Sequence, residues 1–302
     1  MISFVKNIEE ANCITHSGTM HADDVFATAF LELYLGDIKL FRTSSVDFEV
    51  INPHALVYDV GRREFDHHQT DALKRENGIT YCSFGLLWKE FGKEFLGKRD
   101  IDFIDEVFVG IDKDLVEGID ADDNGVFPKI EADYKVKTVS SIIKMFNPSF
   151  NSGQVENEQF LKAVTVAKMI LEEEILYISG KVEAEFRIKK LLRSVSAESK
   201  FLILDKFLPY EETLLNTEEA RGILFVAYPS NRGGYAIKTV AKSMDDRTAR
   251  MSFPEEWAGL EGESLEDVSG IKGLNFCHSG RFIVNCNDKA TVDRVLKYLC
   301  QK

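Results

Sequence analysis

The chain has 302 residues, 44% hydrophobic and 29% charged, which describes a globular protein with room for two domains. No run approaches 18 uninterrupted apolar residues, which argues against a membrane span. The net charge of −13 argues against a broad nucleic-acid-coating surface, but not against a small phosphate site, because bound cations reverse the local sign.

In chain order, residues 11–15 read as a short strand and His16 to His21 as a Gly-containing loop. A helix follows from Asp23 to Leu35, with apolar positions at i, i+3 and i+4 and a stop signal at Gly36-Asp37. Residues 38–41 and 55–60 read as two more strands, the second ended by Gly61. Residues 82–95 and 101–119 read as helices. Strands alternating with helices predict βαβ units and a mostly parallel sheet. Asn147-Pro148-Ser149-Phe150-Asn151-Ser152-Gly153 is the strongest breaker in the chain. Beyond it, Glu156 to about Ser194 is helical in composition, with Ser179-Gly180 as an interruption that would make two helices. Short apolar runs then appear at 201–204, 222–228, 235–240 and 282–284, and an amphipathic helix closes the chain at 289–299. The expected fold class is α/β: an N-terminal domain over residues 1–150, a helical connector over 151–196, and a smaller α+β domain over 197–302.

The five cysteines (Cys13, Cys82, Cys277, Cys286, Cys300) are scattered, with no CxxC pair, and fit reduced thiols. Met1 to Lys6 lacks a signal-type apolar segment and an Arg-rich transit pattern, so the expected location is cytoplasmic.

Four polar patches carry the chemistry. The first is His16-Ser17-Gly18-Thr19-Met20-His21-Ala22-Asp23-Asp24, where a loop closing onto a helix N-terminus can point His16, His21 and Asp23 at one place. Asp23 also reads as a plain helix cap. In the second, Asp59 follows the apolar Ala55-Leu56-Val57-Tyr58, and a carboxylate leaving a buried strand is costly unless solvated, paired or metal-bound. The third is Asp66-His67-His68-Gln69, in which three consecutive candidate ligands cannot all face one point, so at least one holds a neighbour's tautomer. The fourth, Asp120-Ala121-Asp122-Asp123-Asn124-Gly125, also reads as a solvated helix end and turn. Imidazole with carboxylate suits Mn, Zn, Fe or Co and leaves positions open for phosphate or water. The joint occurrence of the four patches points to a metal-dependent hydrolase.

His16…His21-Ala22-Asp23, then Asp59, then Asp66-His67-His68, then Asp123-Asn124-Gly125 follow the order of the metal motifs of the DHH phosphoesterase superfamily. The chain resembles still more closely the melanocyte-proliferating-gene family, linked to 3′–5′ RNA exonuclease activity. That likeness runs through Ser83-Phe84-Gly85-Leu86-Leu87-Trp88, Pro254-Glu255-Glu256-Trp257-Ala258-Gly259-Leu260 and Phe276-Cys277-His278-Ser279-Gly280-Arg281-Phe282. The resemblance implies two divalent ions, Mn²⁺ first, with Mg²⁺, Co²⁺ or Zn²⁺ as alternatives. One would be held by His16, His21 and Asp59, the other by Asp23, Asp59, His67 and Asp123, with Asp59 bridging. His68 would sit near the phosphate as a catalytic residue with Asp59, and Asp66 would support a neighbour.

The resemblance further implies a smaller second domain that closes over substrate. His278 and Arg281, with Arg232 in a Gly-rich turn and Arg42 at a strand end, are the expected phosphate contacts. Trp88 and Trp257 are expected in the core. The implied activity is two-metal 3′–5′ hydrolysis of RNA or short oligonucleotides, with no membrane partner. A homodimer, a small-molecule pyrophosphatase-like activity and a non-catalytic metal- or nucleotide-binding regulator stay open. Three departures stand out. His21 occupies a position where the superfamily pattern has Asp, Tyr58-Asp59-Val60-Gly61-Arg62-Arg63 lacks a second Gly, and Val284-Asn285-Cys286-Asn287 stands where related sequences tend to be Gly-rich.

Overall fold

A computed structural model describes residues 1–300. The chain divides into two compact units, Met1–Gly180 and Lys181–Lys302.

The first unit opens with β1 (Ile2–Phe4) and β2 (Cys13–His16), followed by α1 (Ala22–Leu35), β3 (Ile38–Thr43) and β4 (Leu56–Val57). These strands form one wholly parallel sheet in the order β1-β3-β2-β4, with Ile14 of β2 opposite Phe41 on one side and Val57 on the other. The parallel sheet expected from strand–helix alternation is therefore present, with β1 added at its edge. Helices α2 (Ser83–Gly97), α3 (Ile104–Ile111), α4 (Glu117–Asp123) and α5 (Val139–Ile143) follow, with a π-turn at Asp112–Val116 joining α3 to α4. The first ten residues of α1 are all buried, and Phe30 packs edge-on against Trp88 and Phe95 of α2. Trp88 is fully buried, as expected of a core residue.

Helix α6 runs unbroken from Glu156 to Leu192. Ser179-Gly180 does not interrupt it, since one glycine costs a long helix only about 1 kcal/mol. The second unit then contains β5 (Phe201–Ile203), α7 (Glu211–Asn216), β6 (Phe225–Pro229), β7 (Tyr235–Thr239), α8 (Gly262–Ser269), β8 (Leu274–Cys277), β9 (Ile283–Cys286) and α9 (Lys289–Cys300). Its five strands are ordered β5-β6-β7-β9-β8, with β5 parallel to β6 and the other pairings antiparallel. Trp257, Phe253, Leu265 and Val295 form its core. Among the described residues no helix is long and apolar enough to cross a membrane.

Two buried aspartates hold the start of α2. The Asp23 carboxylate accepts hydrogen bonds from Ser83 N (2.9 Å) and Phe84 N (2.7 Å). Asp120, from α4, accepts one from Gly85 N at 3.2 Å and pairs with Arg75 Nη1 at 2.6 Å. Arg75 also pairs with Asp112 at 2.7 Å and lies over the Tyr81 ring. These carboxylates satisfy the first N–H groups of the helix and complement its dipole. Position 85 must be glycine, because a Cβ there would collide with the Asp120 carboxylate. Burial lifts Asp120 to about 7 against the pull of Arg75, so the pair fixes geometry more than it adds stability. Removing one partner is a different matter, since it strands a buried charge. Arg75→Ala is expected to cost about 3–5 kcal/mol in urea unfolding. A cost below about 1 kcal/mol, typical of a solvated pair, would show that the clamp does not hold α2.

Candidate metal centre

Five buried aspartates (Asp23, Asp24, Asp59, Asp66, Asp120) all belong to the first unit. Their hydrogen bonding sorts them. Asp23 and Asp120 accept hydrogen bonds from the first N–H groups of α2. Asp66 takes Arg62 N at 2.6 Å on one oxygen, and His68 Nδ1 (2.6 Å) and His68 N (3.1 Å) on the other. Asp24 takes His21 N at 2.7 Å on Oδ1 only, and its Oδ2 has no hydrogen-bond partner. Asp59 has no hydrogen-bond partner on either oxygen among the described residues.

The unsatisfied atoms face one another. His16 Nε2 lies 3.2 Å from Asp24 Oδ2 and 3.2 Å from Asp59 Oδ2, yet makes no hydrogen bond of acceptable geometry to either. His67 Nδ1, also unpartnered, is 3.7 Å from Asp59 Oδ1, and His67 Nε2 is 3.1 Å from Asp123 Oδ2. His21 Nδ1 is 3.7 Å from Asp123 Oδ1. His68 Nδ1 is 3.8 Å from Asp59 Oδ1. Among the described residues, His16, His21 and Asp59 offer ligand atoms within 4.8 Å of one another, as do Asp59, Asp66, His67 and His68, and also His67, Cys82 and Asp123.

Each donor is delivered by a local feature. His16 ends β2, and its Nδ1 lies 3.1 Å from the Ser17 carbonyl, which directs Nε2 into the cluster. Asp24 is the third residue past the cap of α1, a position that turns back toward the cap. Asp59 leaves β4 at φ +54, followed by Gly61 at +90 and Arg62 at +55. Two left-handed non-glycine residues in one turn are strained, and persist only where the surroundings enforce them. Here Asp59 N donates to Phe65 O at 3.0 Å, Asp66 holds Arg62 N, and Arg63 lies over the Phe48 ring. Arg62 thus adopts a backbone conformation that glycine would take freely. Asp123 is the last residue of α4, where Asn124 caps the helix by donating to the Asp120 and Thr80 carbonyls.

The electrostatics call for a cation. Burial, then Asp59, Asp123 and Asp120, push the Asp23 carboxyl well above its ordinary range. Burial also raises Asp59 despite the opposing pull of His16. Burial disfavours the charged imidazole of His16, but Asp24 and Asp59 outweigh it and push the group up to about 11. His67 is raised in the same way, burial opposing and Asp123 and Asp59 prevailing. The carboxylates thus favour positive charge at both imidazoles. Unpartnered buried oxygens and imidazole nitrogens with excess negative charge fit divalent cations, and the mixed O/N set suits first-row metals.

The sequence-selected residues His16, His21, Asp59, His67 and Asp123 are brought together around this point. Asp23 lies beside them with both oxygens donated to by α2, and Asp66 orients His68. Asp24, which the sequence left without a role, lies with them, its Oδ2 3.2 Å from His16 Nε2. Arg42 is buried: it donates to His16 O, Gly18 O and Glu156, and stacks on Phe160, so it shapes the His16–Gly18 loop. In the second unit, His278 Nδ1 accepts from Gly280 N at 2.9 Å and its ring contacts Phe282. Arg281 sits at φ +54 in the same loop, and Arg232 lies exposed in the turn between β6 and β7. A cavity of about 660 Å³ opens beside the cluster, lined by His21, His67, His68, Asp123, Phe127 and Lys144 among others.

Residues 12–297 match the model of the MYG1 exonuclease family, described as Uncharacterised protein family (UPF0160). The MYG1 protein of Dictyostelium discoideum is 28% identical over 300 residues, covering 89% of this chain and 90% of its own length. The Homo sapiens protein named MYG1 exonuclease is 28% identical, covering 89% of this chain and 80% of its own. The MYG1 protein of Chlamydia trachomatis is 27% identical, covering 95% and 96%. Among solved structures, RecJ of Thermus thermophilus in complex with Mg²⁺ aligns with 97% of this chain and 50% of its own, at 15% identity and a TM-score of 0.30, too low to carry a structural argument.

Divalent cations are expected to stabilise the fold through this cluster. At 100 times the dissociation constant, a single bound ion adds about 2.7 kcal/mol. Thermal unfolding with Mn²⁺ against chelator should show a rise in Tm that Asp59→Ala abolishes. An unchanged Tm in the parent protein would contradict the metal centre.

Proposed function

The chain belongs to the MYG1 exonuclease family, and from that membership and the chemistry of the cluster we propose that it is a divalent-metal-dependent phosphoesterase, acting as a 3′–5′ exonuclease on RNA or short oligonucleotides. The observation that carries the reading is the convergence of His16, Asp24, Asp59, His67 and Asp123, in which His16 Nε2, Asp24 Oδ2, both Asp59 oxygens and His67 Nδ1 are buried and make no hydrogen bond. The exonuclease names of the mammalian relatives agree with it. Divalent ions held there supply water activation and neutralise charge on phosphoryl oxygens.

The protein's own groups divide the remaining work. Asp59, with both oxygens free and on a strained turn, lies between His16 on one side and His67 on the other, and suits a bridging role between two ions. Asp23, beside Asp59 and Asp123, completes the proposed ligand set through its remaining lone pairs. His68 is more than half exposed, and its Nδ1 is fixed by Asp66. Its Nε2 is therefore presented toward the cavity, where it can hold a proton or a phosphate oxygen. His278, Arg281 and Arg232 are the proposed phosphate contacts of the second unit. The net charge of −13 favours the pyrophosphatase-like reading more than a long polyanion.

Assays with Mn²⁺, Mg²⁺ or Co²⁺ against short RNA, short DNA, pyrophosphate and bis-p-nitrophenyl phosphate decide between these. The expected result is mononucleotide release from RNA ends, abolished in Asp59→Ala and His67→Ala. Asp66→Ala, which frees His68 and also releases Arg62 N in the turn that aims Asp59, is expected to lose about 10–100-fold. Phosphate release from pyrophosphate alone would select the small-molecule reading. No hydrolysis of any substrate would overturn the proposal.

A further inference from the structure

We propose that residues 126–144 form a subsite for single-stranded nucleic acid continuous with the metal centre, in which bases stack on Phe127 and Tyr134 and the phosphate chain runs past Lys144. The proposal rests on the phosphoesterase reading above and names where that site would hold the rest of its substrate.

Three features of this segment support it. The first is continuity. A second cavity of about 450 Å³ shares Asp122, Phe127, Ser140 and Lys144 with the cavity beside the cluster, and extends it to Ile130 and Tyr134. One groove therefore leads away from Asp123 and His67. The second is exposure of large rings. Phe127 is 66% and Tyr134 76% exposed, although the same unit buries Trp88, Phe26, Phe30 and Phe84 completely. An aromatic ring left in water beside a cavity lacks the partner that would offset its hydration, and a base face is a suitable one.

The third is charge. Residues 126–144 contain four lysines (Lys129, Lys135, Lys137, Lys144) against Glu131 and Asp133, a local excess of positive charge in a chain of net charge −13. The basic residues alternate with Phe127, Ile130, Tyr134 and Val136, which is the pattern of a stacking platform beside a phosphate track. The −13 total weighs against a broad binding surface but not against a single strip.

The backbone suits such a strip. Residues 126–138 have no helix or strand, a long irregular connection for a packed unit. Among the described residues, the backbone of 127–137 makes no backbone hydrogen bond; the segment connects α4 to α5 and lines the groove with Phe127, Ile130, Tyr134 and Val136, and Lys144 lines it from the start of the next turn. Base stacking tolerates any sequence, so the subsite would favour unpaired strands with little base preference.

Tyr134→Ala, Phe127→Ala and the conservative Tyr134→Phe test the subsite in the full-length, metal-loaded protein. Tyr134 lines only the far part of the groove, which bis-p-nitrophenyl phosphate is too small to reach from the metal centre. For a single strand of about 10 nucleotides, the KM of Tyr134→Ala is expected to rise about tenfold. KM for bis-p-nitrophenyl phosphate should stay at the parent value, and Tyr134→Phe should behave as the parent. Affinity for a phosphorothioate strand, read by fluorescence anisotropy, should fall in parallel. Unchanged KM and affinity for the strand in both alanine variants would overturn the subsite. So would a change in sedimentation showing that the exposed rings join two copies of the chain. If the parent hydrolyses neither substrate, the phosphoesterase reading fails by itself. Anisotropy then still decides the subsite, a loss of affinity supporting it and an equal affinity overturning it.

Discussion

A buried carboxylate has to be hydrogen-bonded, paired or bound to a cation, and the first unit is built around five that meet this requirement in different ways. Asp23 and Asp120 are satisfied by the first N–H groups of α2, and Asp66 by Arg62 and His68. Asp24 Oδ2 and both Asp59 oxygens make no hydrogen bond and instead face the imidazoles of His16 and His67. Leaving such oxygens unpaired costs several kcal/mol in a dry interior, and the cost is removed when a cation fills the gap between them. The satisfied aspartates fix the helices, and the unsatisfied ones then have nowhere to turn. This division gives the cluster its rigidity before any ion arrives.

The strain at Asp59 belongs to the same logic. An ordinary strand exit would carry its carboxylate to a different face. The left-handed backbone at Asp59 and Arg62, tied down by Phe65 O and Asp66, aims it at His16 and His67. Arginine at position 62 holds this left-handed turn at a cost that the surrounding hydrogen bonds offset. His21 is accommodated similarly. Its backbone N–H is held by Asp24 while its ring reaches toward Asp123, so the imidazole joins the cluster from the helix cap.

Much of this was legible in the residues. Apolar runs ending in Asp or His placed β2 and β4 and the patches at their carboxyl ends, as parallel α/β sheets require. In the second unit β5, β6, β7, β9 and α9 fell on the apolar runs and the amphipathic pattern, whereas β8, Leu274–Cys277, had no such run to mark it. The misses have physical causes. β1 is three residues long and gains its identity only by pairing with β3. The strand expected at 55–60 is only Leu56–Val57, because Asp59 leaves the extended region. The helix expected at 101–119 starts later and carries a π-turn, which periodicity does not report. Which of Asp23 and Asp24 turns toward His16 was not legible, because the answer depends on α2, some 60 residues away, claiming the first. Arg42 looked like a strand-end cation, yet Glu156 and Phe160 from α6 enclose it.

The central claim is that the unpartnered atoms of this cluster are metal ligands. Crystals of the Mn²⁺-loaded protein, measured at the manganese absorption edge, test it most directly. The account predicts anomalous density bounded by His16 Nε2, Asp24 Oδ2 and Asp59 Oδ2, and a second peak between Asp59, His67 and Asp123. Density confined to surface carboxylates, or its absence at the cluster with hydrogen bonds formed among those side chains instead, would contradict it.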